Sequence, residues 1–298
     1  MLPNENSDEQ GANHVIKWNA SEDGEERIDV QLRGLLHGLT HQYHGKDKPV
    51  DYYMNIGEDR LPLNEFLGSE ITITYLGEKH CIACGRKTNK TFNSGYCYPC
   101  FTKLPENDLC IVKPHECHFD QGTCRDESFG QSHCMIPHYV YLAVSSDIKV
   151  GLTRKNNEMK RWVDQGAIRA IPIAEVPTRR MAGELEFHLS QFLPDKTNWR
   201  KMLKGEVREI DLLAMRDEVY SYFPDAFKPF QYREDEWVEI TYPILESLDK
   251  ITSKTLDKEE TISGRLIGAK AQYLIFENSV FQARKHAGYQ VEISISGV

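Results

Sequence analysis

Two short cysteine motifs decide how the middle of this chain folds: Cys81-Ile82-Ala83-Cys84 and, after twelve intervening residues, Cys97-Tyr98-Pro99-Cys100. Each motif turns two sulfurs toward one point, and two such turns facing each other make the tetrahedral thiolate site that zinc prefers. Gly85 and Gly95 suit the tight turns beside such motifs. The spacing predicts a structural four-cysteine zinc site rather than a lone redox motif or unrelated disulfides.

A second group of four cysteines follows at wider intervals that fit no Cys-x-x-Cys motif. Its assignment as a metal site depends on the number of cysteines that remain after the first site is complete. All eight cysteines lie between positions 81 and 134, and the first four complete one site. The economical interpretation of the rest is a second structural zinc site, with nearby histidines as alternative ligands. An iron–sulfur cluster on the same thiolates stays open. The cysteines are Cys110, Cys117, Cys124 and Cys134, and the histidines are His115, His118 and His133.

The composition is that of a globular protein of 298 residues, 40% of them hydrophobic and 27% charged. No apolar run approaches the roughly 18–20 residues that a membrane span needs. The N-terminus lacks the basic and apolar regions of a secretion signal. We therefore expect a cytoplasmic protein with no membrane association. Thiols stay reduced in that compartment, which favours metal binding over disulfides.

Periodicity divides the chain into five segments and predicts an α+β fold. Residues 1–26 are an acidic tail, and residues 27–77 alternate polar and apolar side chains as strands do. The cysteine-rich region covers 78–136, and a small α/β domain follows at 137–235. Residues 236–298 return to strands, which we expect to pair with 27–77. The zinc and α/β parts would then be an insertion between two halves of a β domain.

The α/β segment has a regular predicted order of elements. A β-hairpin comes first, followed by a helix, a strand and two further helices. Pro194 and Pro224 mark the ends of the last two helices. The predicted ranges are 139–144 and 148–152 for the hairpin, 156–165 for the first helix, 167–176 for the third strand, and 178–193 and 207–222 for the later helices.

Four parts of this segment resemble the GIY-YIG nuclease module. They are Tyr139-Val140-Tyr141, Lys149-Val150-Gly151, a basic helix containing Arg161, and a charged helix around residues 184–189. The resemblance is to the branch whose second motif reads Lys-Ile-Gly, and it covers residues 139–204. It implies a small α/β nuclease fold that hydrolyses phosphodiesters with one divalent metal ion.

The resemblance implies a role for each matching residue. Tyr141 would lie beside the attacking water, and Arg161 would stabilise charge that develops on the phosphate. Glu186 would hold a single Mg²⁺ or Mn²⁺, which retains most of its waters. Asn198 lies twelve residues after Glu186, in agreement with the glutamate-to-asparagine spacing of the family, which favours Glu186 over Glu184.

Two positions depart from the module. Tyr139 stands where the first motif has glycine, and Lys149 stands where the second motif has tyrosine, whereas Gly151 matches the second-motif glycine. We expect Lys149 to contact a phosphate instead. The departures leave two interpretations, a hydrolase or a module that binds without cleaving.

The whole arrangement also resembles an uncharacterised bacterial and archaeal protein family that has two cysteine quartets. That resemblance spans most of the chain and implies no particular activity. The features that it rests on are Cys97-Tyr98-Pro99-Cys100, Gly122-Thr123-Cys124-Arg125, Arg161-Trp162, Gln165-Gly166-Ala167, Thr197-Asn198-Trp199-Arg200 and Gln272-Tyr273-Leu274.

The net charge and the local charge of the chain favour different classes of binding partner. The net charge of −9 disfavours nucleic acid as a partner and favours protein partners on an acidic surface. Residues 149–180 nevertheless contain eight basic residues against three acidic ones. The leading hypothesis is a zinc-stabilised protein that acts on DNA or RNA by metal-dependent hydrolysis. The alternatives are nucleic-acid binding without catalysis and a protein-interaction scaffold.

Overall fold

The computed structural model describes residues 14–20, 26–193 and 198–296. Within these ranges the chain has a mixed α+β fold with two β-sheets. The strands are β1 (His14–Ala20), β2 (Glu26–Gln42), β3 (Asp51–Ile56), β4 (Asp59–Pro62), β5 (Glu70–Lys79), β6 (His138–Val144), β7 (Ile148–Arg154), β8 (Arg169–Val176), β9 (Val238–Glu239), β10 (Ser253–Lys254), β11 (Thr261–Lys270), β12 (Tyr273–Phe276), β13 (Val280–Gln282) and β14 (Tyr289–Ser296). The helices are α1 (Tyr98–Lys103), α2 (Leu109–Val112), α3 (Glu127–His133), α4 (Glu158–Asp164), α5 (Arg179–Leu189), α6 (Trp199–Lys204) and α7 (Leu212–Tyr220).

The larger sheet joins strands from both ends of the chain. Its order is β10-β13-β12-β11-β5-β14-β2-β3-β4, with β1 paired to β2. β14 lies between β2 and β5 and is antiparallel to both, and β11 is antiparallel to β5. The two terminal β segments therefore share one sheet, and the cysteine-rich and α/β regions leave it after β5 and return to it at β10.

Alternating side chains fill the core of the larger sheet. In β3, Tyr52, Met54 and Ile56 are fully buried, and the residues between them are partly exposed. β14 buries Val291 and Ile293 in the same way. Because strand residues two apart point to the same face, this burial explains the polar–apolar alternation in the sequence.

Residues 14–20, which the sequence predicts to be part of an acidic tail, form β1 instead. β1 is antiparallel to β2, with His14 opposite Leu32 and Ala20 opposite Glu26. The pairing partner supplies the backbone hydrogen bonds, so a strand forms where the sequence has little periodicity of its own. The rest of the predicted tail, residues 1–13 and 21–25, lies outside the described residues.

The smaller sheet has the order β7-β6-β8-β9 and is the centre of the α/β region. β6 and β7 form the hairpin that the sequence predicts. Every residue of β6 is buried, because one face packs on α5 and α7 while the other packs on α4 and the larger sheet. β9 pairs with β8, so Val238 and Glu239 belong to this sheet and not to the C-terminal strands with which the sequence groups them.

The cysteine-rich region consists of short helices and turns between the two sheets. α1, α2 and α3 have four to seven residues each, which is too short for a helical hydrophobic core of their own. α6, with six residues, is also too short for sequence periodicity to reveal it. None of the described helices combines the length and the apolar character that crossing a membrane requires.

Candidate functional site

The first cysteine quartet has the geometry of a metal site. The sulfurs of Cys81, Cys84, Cys97 and Cys100 all lie within 4.8 Å of one another, and those of Cys84 and Cys97 are 3.7 Å apart. A tetrahedral zinc ion with Zn–S bonds of about 2.3 Å would place its sulfurs about 3.8 Å apart. The quartet could therefore bind a metal ion such as zinc, as its spacing in the sequence predicts.

The pKa values within this quartet shift in opposite directions. At Cys81, burial opposes ionisation, but backbone N–H groups of Cys97, Cys84 and Ala83 outweigh it and lower the thiol pKa to about 6. At Cys100, burial and hydrogen bonds with the other cysteines raise the pKa to about 12. One thiolate forms readily in this arrangement. Ionisation of the Cys100 thiol would be favoured by the charge of a bound cation.

The second group of cysteines surrounds one small cavity. Cys110, Cys117, Cys124 and Cys134 line a space of about 10 Å³, together with His118. Burial raises the pKa of Cys110 to about 12, and nearby Asp108 and the other three thiols add to the rise. The four sulfurs do not all lie within 4.8 Å of one another; among the described residues here, the ligand atoms that do are those of Asp108, Cys110 and His118.

The three histidines near the second cysteine group have different positions. His118 lies at the cavity, where its Nε2 is 3.6 Å from Asp108. The His115 ring packs at a tilt against Phe187, with ring centroids 4.4 Å apart, and the His133 ring stacks on Phe129 at 4.2 Å. Of the alternative ligands that the sequence suggests, His118 is the one that the structure places beside the thiols.

Helix α5 joins the second cysteine group to the α/β region. The Arg179 guanidinium donates to the Ile111 carbonyl at 2.8 Å, and its backbone N–H donates to the Cys134 carbonyl at 2.8 Å. A Cβ on Gly183 would lie 2.5 Å from Cβ of Pro114, so the helix approaches this turn closely only because residue 183 is glycine. The cysteine cavity and the helix that contains Glu186 are therefore held together.

Four residues that the sequence singles out meet in the α/β region. Tyr141 comes from β6, Lys149 from β7, Arg161 from α4 and Glu186 from α5. Tyr141 is fully buried, and its hydroxyl donates to Oε1 of Gln165 at 2.9 Å. Burial raises the Tyr141 pKa to about 12, while the charge of Arg161 opposes the rise and that of Glu186 adds to it.

Lys149 belongs to the same electrostatic group. Burial lowers its pKa to about 8, the charge of Arg161 lowers it further, and the charge of Glu186 opposes both. Lys149 and Tyr141 thus respond to the same two charged side chains. Glu186 itself is half-buried and has further interactions of its own.

Asn198, the fifth residue singled out, is not brought to this group. Its side chain caps α6, where Oδ1 accepts hydrogen bonds from the backbone N–H groups of Arg200 and Lys201 at 3.1 and 3.3 Å. It lines a separate cleft with Ser146 and Arg208. Helix capping accounts for an asparagine at this position.

A cleft lined by arginines lies next to the four-residue group. Its volume is about 440 Å³, and it lies between the cysteine-rich region, the α/β region and the larger sheet. The arginines are Arg154, Arg161, Arg179 and Arg284, and Glu106 is the one carboxylate among the described residues that line it. The sequence pattern indicates Arg161 and the basic run at 149–180. Arg284 lies more than 100 residues later in the chain, and no motif relates it to that run.

The positive charge of this cleft is only partly compensated, since the charge of Glu186 also acts on Arg179. Arg284 lies 3.9 Å from Asp164, whereas Arg154, Arg161 and Arg179 have no carboxylate partner among the described residues. Nε of Arg179 is buried and has no hydrogen-bond partner in the described part of the chain. Burial lowers the Arg179 pKa, and the charge of Arg161 adds to this effect. A bound anion in the cleft would offset the repulsion between these guanidinium groups.

A family model described as a protein of unknown function, DUF2797, matches residues 68–291. The chain belongs to the DUF2797 family. The matched residues include both cysteine groups and all four arginines of the cleft. No curated protein and no solved structure matches the chain.

The arrangement in this DUF2797 protein supports two kinds of chemistry. The first cysteine quartet could supply thiolates to a metal ion such as zinc, which would replace a hydrophobic core in a loop-rich region. The arginine cleft supplies guanidinium donors in the planar geometry that matches phosphate and carboxylate oxygens.

Proposed function

We propose that this DUF2797 protein binds nucleic acid and that the arginine cleft holds the phosphate backbone. The observation that supports the proposal most directly is that four arginines line one cleft with a single carboxylate among the described residues. Arginine forms bidentate hydrogen bonds to phosphate, and several such contacts in one groove are typical of backbone recognition.

The net charge of −9 is compatible with this proposal. Charges at physiological ionic strength are screened over about 8 Å, so a phosphate in the cleft interacts mainly with the arginines around it. The acidic remainder of the protein weakens long-range attraction. We therefore expect modest affinity that falls steeply with added salt.

We propose structural zinc ions at both cysteine groups. A four-thiolate zinc site has a net charge of about −2. Burial raises the pKa of Cys134 and the charges of Arg179 and Arg154 oppose the rise, so both guanidinium groups lie near the second cysteine group. Zinc at this site would then hold one side of the cleft in place and would partly balance two of its arginines.

Metal-dependent phosphodiester hydrolysis is the second candidate function, in keeping with the resemblance to the GIY-YIG module. It is favoured by the meeting of Tyr141, Lys149, Arg161 and Glu186 from four different elements. Glu186 would hold Mg²⁺ or Mn²⁺, which supplies Lewis-acid chemistry at the phosphate. Binding without cleavage ranks first because Tyr141 is fully buried and its hydroxyl donates to Gln165, so it does not reach the cleft.

Fluorescence anisotropy with labelled DNA and RNA tests the binding proposal. Arg154→Gln and Arg179→Gln should each weaken binding about tenfold and lower the slope of log affinity against log salt by about 1. Arg208→Gln is the matched control, because Arg208 is exposed and lines a different cleft. Absence of binding at low salt would overturn the proposal and would favour a protein-interaction scaffold.

A cleavage assay with Mg²⁺ or Mn²⁺ separates the two candidate functions. If hydrolysis occurs, Glu186→Gln should abolish it while retaining binding, and Arg161→Gln should reduce both. If oligonucleotides bind and stay intact under all metal conditions, the protein binds without cleaving.

A further inference from the structure

Two stacked rings line part of the arginine cleft. Phe129 and His133 both line the cleft, and both come from α3, one helical turn apart. Their ring centroids are 4.2 Å apart and their planes differ by 7°. Residues four apart on a helix lie on the same face, so α3 holds the rings in one stack.

Contacts within the protein hold both rings of this stack in place. Nδ1 of His133 is 2.8 Å from the Ser132 hydroxyl, and that hydroxyl also donates to the Ser128 carbonyl at 2.8 Å. Phe129 packs against the cavity of the second cysteine group as well. A rigid aromatic surface loses little conformational entropy when a planar ligand stacks on it.

The size of the cleft restricts what can enter it. About 440 Å³ lies within the range of pockets that hold a single small molecule, and it is far too small for a duplex. Phosphate-binding groups and an aromatic surface line the same space. An unpaired nucleotide has both chemistries, a planar base and an anionic phosphate, whereas a base inside a duplex has no free face.

We propose that the cleft takes an unpaired nucleotide of a single strand, with its base stacked on the Phe129–His133 pair and its phosphates on the arginines. Arg154, Arg161 and Arg179 lie around the same space as the two rings. The inference rests on the proposed nucleic-acid binding and adds the substrate class. It holds for DNA and for RNA, because every base has a π-face.

The first experiment compares ligands on the wild-type protein. Single-stranded oligonucleotides of DNA and RNA, the matching duplexes and free mononucleotides compete for a labelled single strand. A single strand that contains 2-aminopurine should lose fluorescence on binding, because stacking quenches this base. We expect the single strand to bind at least tenfold more tightly than the duplex or the mononucleotide.

The second experiment removes the ring. Phe129→Leu keeps an apolar side chain but should weaken single-strand binding by about 5- to 100-fold and reduce the quenching. Phe192→Leu is the matched control, since Phe192 also stacks on a neighbouring ring, Tyr222 at 4.6 Å, but does not line the cleft. Zinc content and circular dichroism check that Phe129→Leu retains its fold.

The outcomes separate this inference from the proposed function. Equal affinity for single strand and duplex, no quenching, and a continued loss of binding in Arg179→Gln would overturn the stacking inference and leave the proposed function intact. Mononucleotides that bind as tightly as the strand would overturn the single-strand assignment. Absence of binding by every ligand at low salt would overturn both.

Discussion

Gly151 provides the space in which the Tyr141 ring lies. The two residues are opposite each other in the β6–β7 hairpin. A Cβ at position 151 would be 2.6 Å from both Cζ and the hydroxyl oxygen of Tyr141, closer than packed side chains allow. A glycine in a strand usually marks a close approach of this kind.

Gly151→Ala should therefore destabilise the protein by about 1–3 kcal/mol, the usual cost of overpacking a core. The measurement is the free energy of unfolding in urea. In a Tyr141→Leu background the same substitution should cost at least about 1 kcal/mol less, since the ring that it displaces is gone. An equal cost in both backgrounds would show that the Tyr141 contact is not the cause.

Lys270 is a buried lysine whose titration should be visible in the stability of the protein. It is 3% exposed, and its ammonium donates to the Met202 carbonyl at 3.0 Å and lies 4.9 Å from the centre of the Tyr242 ring. Burial lowers its pKa to about 8. Between this value and about 10.4, the usual lysine pKa, the unfolded chain binds more protons than the folded chain.

The stabilisation of the wild type relative to Lys270→Met should therefore rise with pH between about 8 and 10.4. The total rise should be on the order of 3 kcal/mol or less. Thermal or urea unfolding at a series of pH values measures both proteins, and other titrating groups cancel in the difference. A difference that stays constant with pH would contradict the lowered pKa.

At the level of elements, α4 joins the smaller sheet to the larger one. Its last residue, Asp164, has an almost fully buried side chain. Its carboxylate lies 3.3 Å from Nε2 of His41 in β2 and accepts a hydrogen bond from Nε2 of Gln272 at 2.9 Å. Burial opposes ionisation, but the hydrogen bonds from His41 and Lys160 outweigh it and hold the Asp164 pKa well below its usual range.

Asp164→Ala should destabilise the protein by about 3 kcal/mol, because it leaves buried donors without an acceptor. The matched control is Asp225→Ala, which breaks a 2.6 Å ion pair with Lys228 on the surface and should change the melting temperature very little. Arg161 lies one helical turn before Asp164, so weaker oligonucleotide binding should accompany the loss of stability. Equal melting temperatures for the two variants would contradict a structural role for Asp164.

At the level of the whole molecule, we expect metal ions to stabilise the cysteine-rich region. Native mass spectrometry of the purified protein should find two zinc ions per chain. Cys97→Ser and Cys117→Ser should each lose one of them and should lower the melting temperature, because ligand loss opens a structural site. Iron with a visible iron–sulfur absorption band, retained in Cys97→Ser and lost in Cys117→Ser, would replace zinc at the second group.

Much of the molecule follows from local patterns in the sequence. The Cys81 quartet can be predicted from the sequence because its four cysteines lie close together in the chain, and the spacing within each pair is that of a tight metal-binding turn. The β6–β7 hairpin and α4 follow from short-range periodicity. The alternation of polar and apolar residues in β3 indicates that one face of this strand is buried. These features depend on interactions between residues that are near neighbours in sequence.

Other features exist only through contacts between distant segments. β14 inserts between β2 and β5, and β9 pairs with β8, through hydrogen bonds to strands that are distant in the sequence. The arginine cleft is of the same kind, since Arg284 joins Arg154, Arg161 and Arg179 only after the larger sheet packs on the α/β region. The sequence by itself determined the metal-ligand quartet and the local elements. The tertiary structure alone decided the arginine cleft, because charges far apart in the chain become neighbours only through packing.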